Sequence, residues 1–283
     1  MLIGDVDLRS DDAPQRFTAT LRETGFAIVR HAPIDVATLD NLERCWRRFF
    51  ESSDTDKLRH RHDVAGQAPL CGYWPASESE RAVGAEVIDL KEFFHVLPGA
   101  RVPDGTSQAT FRYREQALAT GRLLLDFLTD VDAAGLARML SAADSVLRLL
   151  HYPPLRGRSP DGALRAAPHE DINLLTVLPV SAEPGLEVMD RDGQWHRVAG
   201  RPGEIVVNAG DMLAELSAGR YPSTTHRVVN PDADNTARFA APLFLTPFLD
   251  TVLSSRYTAG AYLAERLQAI SGGTQTPARD WRA

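Results

Sequence analysis

The chain has 283 residues, of which 43% are hydrophobic and 24% charged, the composition of an ordered globular protein. Its formal net charge of −7 gives neither a basic face for nucleic acid nor a polybasic membrane signal. No apolar run approaches the ~20 residues that span a bilayer, and the mixed, acidic N-terminus lacks the features of a signal peptide. We therefore expect a cytoplasmic protein that binds neither nucleic acid nor a membrane.

The first third of the chain predicts helices and a short strand. Ala13–Thr24 predicts a helix that ends at Gly25, a residue typical of helix C-termini. Phe26–Arg30 is mostly apolar and predicts a strand. Residues 35–51 predict a second helix, because apolar side chains recur there every three to four residues. The polar residues 52–70 predict a loop.

After the first hundred residues the chain changes from helical to β-rich. Residues 98–109 predict a connection, and residues 111–129 and 134–143 predict two helices. Short apolar runs then alternate with turn residues and predict strands. The predicted strands cover residues 146–152, 172–178, 186–189, 195–198, 204–208, 225–229 and 238–244.

Many short strands at close spacing predict a sandwich or barrel. Asp192-Gly193 lies between two of them and predicts a hairpin turn, and residues 257–270 predict a final helix. The simplest architecture is α+β and mainly β. Residues 1–100 would form an N-terminal portion packed on a double-sheet core of residues 101–283, and the two would make one structural unit.

The sequence Pro168-His169-Glu170-Asp171 opens one predicted strand. Residues i and i+2 of a strand point to the same face, so His169 and Asp171 would point together into the barrel. A buried charge is costly, and a divalent metal would compensate it. His226, on a distant strand, completes the two-histidine, one-carboxylate set of non-haem Fe(II) oxygenases. The alternative is a buried, hydrogen-bonded histidine, because His-x-Asp alone occurs by chance.

Arg238 stands at the start of an otherwise apolar strand. A buried arginine needs a partner, and a carboxylate can accept two parallel hydrogen bonds from its guanidinium group. One interpretation is a salt bridge to an internal Asp or Glu. The other is a dicarboxylate cosubstrate that chelates iron at one end and meets Arg238 at the other.

Together these segments resemble the isopenicillin N synthase-like branch of the Fe(II)/2-oxoglutarate-dependent dioxygenases. The resemblance covers nearly the whole chain. The segments that carry it are, in order, Gly25-Phe26-Ala27-Ile28-Val29, Gly72-Tyr73, Asp89-Leu90-Lys91-Glu92-Phe93-Phe94, Leu149-Leu150-His151-Tyr152-Pro153, His169-Glu170-Asp171, Asn208-Ala209-Gly210-Asp211, the run from Gly219 to Val228, and Arg238.

The resemblance implies a double-stranded β-helix, or jelly-roll, with helices packed on it at both ends of the chain. It implies that His169, Asp171 and His226 bind Fe(II), and that Arg238 binds the distal carboxylate of 2-oxoglutarate. Tyr152 would hydrogen-bond the cosubstrate or the substrate, and its alternative is a role as a core aromatic. Dioxygen would be the second cosubstrate, succinate and carbon dioxide would be released, and an unactivated C–H bond of a small molecule would be hydroxylated, desaturated or cyclised.

Ala240 departs from the family pattern. The family has Arg-x-Ser, in which the serine helps to hold the distal carboxylate, and the lost hydrogen bond is worth about 1 kcal/mol. Ala240 therefore leaves open an Fe(II) oxidase of the same fold that does not use 2-oxoglutarate. A non-catalytic ligand-binding protein and a zinc hydrolase are more distant alternatives.

The resemblance gives only a broad substrate class, amino-acid-derived or specialised metabolites, and the arginine-rich composition suggests a bacterial source. Aromatic residues near the predicted site are candidates for the substrate pocket, although each could equally belong to the core. These candidates are Tyr73, Trp74, Phe93, Phe94 and Phe248. We expect a monomer or a weak dimer.

Overall fold

The structure is a computed structural model, and it describes residues 3–80, 87–155, 162–231 and 235–270. The helices are α1 (Ala13–Thr24), α2 (Val36–Phe50), α3 (Asp54–Leu58), α4 (Ser107–Asp126), α5 (Asp211–Leu216) and α6 (Ala259–Ile270). The strands are β1 (Gly4–Asp7), β2 (Phe26–Arg30), β3 (Gly72–Trp74), β4 (Glu92–Val96), β5 (Val146–Tyr152), β6 (Ala166–His169), β7 (Leu175–Pro179), β8 (Leu186–Met189), β9 (Trp195–Arg197), β10 (Ile205–Ala209), β11 (His226–Val228), β12 (Arg238–Ala240) and β13 (Leu243–Leu245). Among the residues that the structure describes, no helix has both the length and the apolar composition that a membrane span requires.

The strands form two mainly antiparallel sheets. The major sheet has the order β1-β2-β10-β7-β13-β5-β4-β3, and β12 also pairs with β5. The minor sheet has the order β6-β11-β8-β9. This arrangement confirms the predicted jelly-roll. Residues 1–100 supply strands to both edges of the major sheet, and later residues supply the strands between them. The N-terminal portion and the core predicted to meet at residue 100 therefore share one sheet.

Each face of the major sheet has its own apolar layer, as the alternation of side chains along a strand requires. On the outer face, Phe94 and Leu149 pack with Trp46 of α2 and Tyr113 of α4 in the main core. On the inner face, neighbouring side chains of the same strands meet the minor sheet. The inner residues form a second buried cluster of Phe93, Leu150, Tyr152, Ala166, Val228 and Ala240. Trp74 packs against this cluster, which we call the inner cluster.

Several predicted elements differ from the observed ones. The loop predicted at 52–70 contains α3, whose N-terminal Ser53 side chain accepts a hydrogen bond from the Asp56 amide at 3.2 Å. The helix predicted at 134–143 is only the short 3-10 turn Leu136–Met139. The strand predicted at 238–244 is interrupted between β12 and β13, because β12 pairs with β5 alone whereas β13 bridges β5 and β7.

Candidate active site

Two histidines face each other where β6 ends and β11 begins. His169 and His226 are partners in the register of these strands, and their ring centroids lie 4.4 Å apart. Asp171 lies beyond the end of β6 rather than within a strand, which corrects the prediction that it shares a strand face with His169. Its Oδ1 lies 4.0 Å from His169 Nε2 and 3.8 Å from His226 Nε2. The three ligand atoms are close enough to surround one metal ion.

The backbone orients both imidazole rings. His169 Nδ1 lies 2.7 Å from the Ala167 carbonyl, and His226 Nδ1 lies 3.1 Å from the Thr224 carbonyl. A carbonyl only accepts, so each Nδ1 carries the proton and each Nε2 keeps a lone pair for a metal. Burial, followed by the charge of His226, lowers the pKa of His169 to about 4. At neutral pH, the imidazole of His169 is therefore uncharged, and its Nε2 lone pair can bind a metal.

Asp171 is held by two residues that face each other across β7 and β10. Thr176 Oγ1 donates to Asp171 Oδ2 at 2.5 Å, and Asn208 Nδ2 donates to the same oxygen at 2.8 Å. Burial raises the pKa of Asp171, but the charges of both histidines and these two hydrogen bonds outweigh burial and leave the pKa below its ordinary value. The carboxylate is thus ionised, with Oδ1 turned toward the histidines.

Arg238 and Tyr152 are cross-strand partners on β12 and β5. Both side chains are buried, and the guanidinium carbon lies 5.4 Å from the centre of the tyrosine ring. Arg238 Nε donates to the Glu183 carbonyl at 3.3 Å. In the described part of the chain, this is the only hydrogen bond of the guanidinium group. Its terminal nitrogens can therefore receive a carboxylate.

The inner wall of the barrel adds aromatic rings to this site. Trp74 and Phe93 are stacked with centroids 5.7 Å apart, and His62 stacks on the other side of Trp74 at 3.6 Å. Phe93 belongs to the inner cluster together with Tyr152. Of the predicted pocket residues, the structure therefore places Phe93 and Trp74 on the side of the barrel that holds Arg238.

The other predicted pocket aromatics lie elsewhere. Tyr73 and Phe94 point to the outer face of the sheet and pack in the helix-covered core, because they alternate with Trp74 and Phe93 along their strands. Tyr73 donates its hydroxyl proton to the buried carboxylate of Glu92. Phe248 is about half exposed beyond β13. Tyr73 and Phe94 therefore do not line the inner wall.

Charged residues near the inner wall form pairs that the sequence analysis did not single out. Arg148 donates to both carboxylate oxygens of Glu80, at 2.7 and 2.8 Å, and lies 4.7 Å above the Phe93 ring. Lys91 donates to Asp89 at 2.7 Å. Burial raises the pKa of Glu80, but the charges of Arg148 and Lys91 outweigh it and lower the pKa. Glu80 is therefore ionised, and the four residues form two pairs, Arg148 with Glu80 and Lys91 with Asp89.

A second buried arginine was also missed. Arg165 is 2% exposed and precedes β6 directly. Arg227, in contrast, points outward as expected from its place next to His226. It donates two hydrogen bonds to Glu187, at 2.8 and 2.9 Å, and its guanidinium carbon lies 4.0 Å from the ring centre of Trp195.

Comparisons with known proteins agree with this fold and site. Residues 143–247 match the model of the 2OG-Fe(II) oxygenase superfamily, and residues 5–117 match that of the non-haem dioxygenase N-terminal region, described from morphine synthesis. Gibberellin 20 oxidase 1 of Oryza sativa subsp. japonica is 30% identical, and the match covers 87% of this chain and 70% of the relative. DMR6-like oxygenase 2 of Arabidopsis thaliana is 25% identical, over 88% of this chain and 74% of the relative.

Solved structures extend the likeness over almost the whole chain. A proposed oxygenase of Shewanella oneidensis is 38% identical, with a TM-score of 0.83, and the match covers 97% of this chain and all of that one. A full-length Neurospora crassa protein, solved in complex with alpha-KG, shares the fold at 21% identity and a TM-score of 0.79, over 94% of this chain and 95% of the Neurospora chain.

The chain belongs to the 2OG-Fe(II) oxygenase superfamily, in its isopenicillin N synthase-like branch. It is a non-haem oxygenase that uses Fe(II), 2-oxoglutarate and dioxygen.

Proposed function

We propose that the protein oxidises an unactivated C–H bond of an amino-acid-derived or specialised metabolite, by hydroxylation, desaturation or ring closure. His169, Asp171 and His226 would hold Fe(II). Arg238 and Tyr152 would hold the distal end of 2-oxoglutarate. The observation that carries this proposal is the convergence of two histidine Nε2 atoms and one ionised carboxylate, with a buried arginine that has donors to spare.

The donor set fits iron. Nitrogen and oxygen ligands from three residues leave other coordination positions open, as the facial triad requires. With iron, 2-oxoglutarate and dioxygen bound, this centre supplies the oxidising power that converts 2-oxoglutarate to succinate and carbon dioxide and oxidises the substrate. The protein's own residues fix the ligands, orient the cosubstrate and exclude water from the reacting centre.

The inner wall favours a small substrate with an apolar portion. Phe93 and Trp74 form a stacked aromatic pair in this wall, and Arg148 and Lys91 are already paired with carboxylates there. An apolar group against the rings needs no new charge partner, whereas a free anion would compete with Glu80 and Asp89 for their cations. Two relatives suggest a first panel of gibberellin-like and auxin-like metabolites. One is the gibberellin 20 oxidase named above. The other is the Arabidopsis thaliana dioxygenase for auxin oxidation, which shares the fold at 19% identity and a TM-score of 0.70.

Anaerobic titration of 2-oxoglutarate into the Fe(II)-loaded protein tests the cosubstrate. We expect the weak visible charge-transfer band of the chelate, and we expect Arg238→Ala to abolish it at the same cosubstrate concentration. If iron stays bound but no band forms, the proposal fails in favour of an oxidase that draws its electrons from the substrate alone.

A panel of small molecules then tests the substrate class. We expect one or more members to stimulate succinate formation that depends on both protein and iron. Oxidised product in a one-to-one ratio with succinate would establish turnover, and its mass would distinguish hydroxylation from desaturation or ring closure. A chelate band without stimulation by any member of a broad panel would favour a non-catalytic binding protein.

A further inference from the structure

Arg165 is among the largest fully buried side chains of the protein, although it carries a charge. One terminal nitrogen donates to the Thr236 carbonyl, two residues before Arg238. Its Nε is buried and has no hydrogen-bond partner among the residues that the structure describes. No carboxylate pairs with the Arg165 side chain anywhere in the described residues. The guanidinium group is therefore a buried cation whose donors are only partly used.

Arg165 lies close to the residues proposed for the cosubstrate. The next residue, Ala166, belongs to the inner cluster with Tyr152 and Ala240. Burial, followed by the positive charge of Arg238, lowers the pKa of Arg165. Both side chains are buried, and the Thr236 carbonyl that Arg165 contacts stands two residues before Arg238. The two cations therefore repel each other within one buried region.

The nearby acidic residue does not neutralise this pair of cations. The Glu183 carboxylate lies 2.6 Å from Arg47 and accepts from Ser181 at 3.0 Å, while Arg238 contacts only the main-chain carbonyl of Glu183. Burying a charge without an opposite charge is strongly unfavourable. Two unpaired cations together therefore indicate a site for an anionic group.

We propose that Arg165 is a second arginine for the distal carboxylate of 2-oxoglutarate. It would bind the carboxylate together with Arg238. This inference rests on the proposed function and adds a residue to the cosubstrate site. It also accounts for Ala240. The methyl group of Ala240 cannot donate a hydrogen bond, and the apolar members of the inner cluster offer no replacement donor. The terminal nitrogen of Arg165 that does not bond Thr236 supplies one with a full charge, which makes a stronger hydrogen bond than a serine hydroxyl.

The test compares two ligands on two proteins under anaerobic conditions. 2-Oxoglutarate has the distal carboxylate, and 2-oxopentanoate has the same chelating end without it. Affinities are measured by the chelate band with Fe(II) and by calorimetry with Mn(II), which requires no turnover. We expect Arg165→Met to weaken 2-oxoglutarate binding about 10- to 100-fold, the range for a charge-assisted hydrogen bond. Binding of 2-oxopentanoate should change less than about threefold.

Two further variants sharpen the result. Arg227→Met removes an arginine on the outward face and should leave both affinities unchanged. Adding Ala240→Ser to Arg165→Met should restore part of the 2-oxoglutarate affinity, because the serine returns a donor. If Arg165→Met does not fold, Arg165→Lys takes its place. It keeps the charge but loses the planar fork, and a several-fold loss for 2-oxoglutarate alone is expected.

The outcomes separate the alternatives. Equal weakening of both ligands would show that Arg165 only supports the structure, and it would overturn the inference. Unchanged affinity for both ligands in a folded Arg165 variant would overturn it as well, and would point to the primary substrate as the anion. No binding of 2-oxoglutarate to the unsubstituted protein would instead defeat the proposed function itself, before any Arg165 variant is considered.

Discussion

Arg238 and Tyr152 face each other across β12 and β5, with the guanidinium carbon 5.4 Å from the centre of the phenol ring. The ring covers one side of the cation, and the register of the strands fixes the pair. The tyrosine hydroxyl makes no hydrogen bond within the described chain, so it can share a ligand with Arg238. The pair therefore presents a cation and a neutral donor at the same place.

Substitution at this pair should affect cosubstrate binding by different amounts. Arg238→Met should weaken 2-oxoglutarate binding about 100-fold or more, because it removes both the charge and the pair of donors that can bind a carboxylate. Tyr152→Phe keeps the ring and removes one neutral hydrogen bond, so about a three- to tenfold loss is expected. Calorimetry on the Mn(II)-loaded proteins measures both. Equal losses for the two variants would contradict the division of roles.

Asn208 should control metal affinity without touching the metal. Its amide donates to Asp171 Oδ2 and leaves Oδ1 for the ion. Loss of such an outer hydrogen bond typically costs 10- to 100-fold in metal affinity, and we expect this range for Asn208→Ala, measured by competition with a chelator.

The matched control for Asn208 is Asn173→Ala. Asn173 donates to Thr176 Oγ1, one hydrogen bond further from the carboxylate. We expect a smaller loss of metal affinity for this variant. A larger loss at Asn173 than at Asn208 would show that general stability, rather than the orientation of Asp171, sets the affinity.

The elements with strong local signals could be predicted from the sequence. The helix Ala13–Thr24 has its predicted bounds, because Gly25 adopts the left-handed conformation (φ 72°) that ends it. The strand Val146–Tyr152 also has its predicted bounds. The metal ligands were assigned from the resemblance and from residue chemistry, and the structure brings the three together.

Features that depend on tertiary packing were less accessible. Phe93 and Phe94 were both predicted for the pocket, although adjacent strand residues must point to opposite faces. That alternation was visible in the sequence, but only the sheet order shows which face is inside. Arg165 was not singled out, because no strand was predicted at Ala166, and its burial depends on the pairing of β6 with β11.

His95 should make stability depend on pH. Burial, followed by the charge of Arg148, lowers its pKa from an ordinary 6.5 to about 3. Between these values the unfolded chain binds a proton that the folded chain does not, so the free energy of unfolding falls as the pH is lowered through this window. His95→Gln removes this titration. Urea unfolding of the metal-free proteins at pH 7.5 and 5.5 measures this effect. The free energy of unfolding should fall less between the two pH values in the variant than in the unsubstituted protein. An equal fall in both proteins would indicate that His95 is protonated in the folded state.

Gly210 should be required for close packing rather than for an unusual backbone conformation. Its φ is −104°, which any residue can adopt. A Cβ at this position would overlap the Asn173 carbonyl oxygen and lie 2.8 Å from the carbonyl oxygen of Asp171. Gly210→Ala should therefore push on the loop that carries a metal ligand, lower stability by about 1–3 kcal/mol, and weaken Fe(II) binding at least about tenfold.

Gly121→Ala provides a comparison in the main core. There the added Cβ would overlap Cδ1 of Leu245, the flexible end of a side chain rather than the backbone of the Asp171 loop, where α4 packs against β13. We expect a loss of stability similar to or smaller than that of Gly210→Ala, and metal affinity within about twofold of the unsubstituted protein. If both variants lose metal affinity in proportion to their loss of stability, the effect is global. If only Gly210→Ala loses metal affinity, the tight contact between α5 and the Asp171 loop itself positions the Asp171 carboxylate.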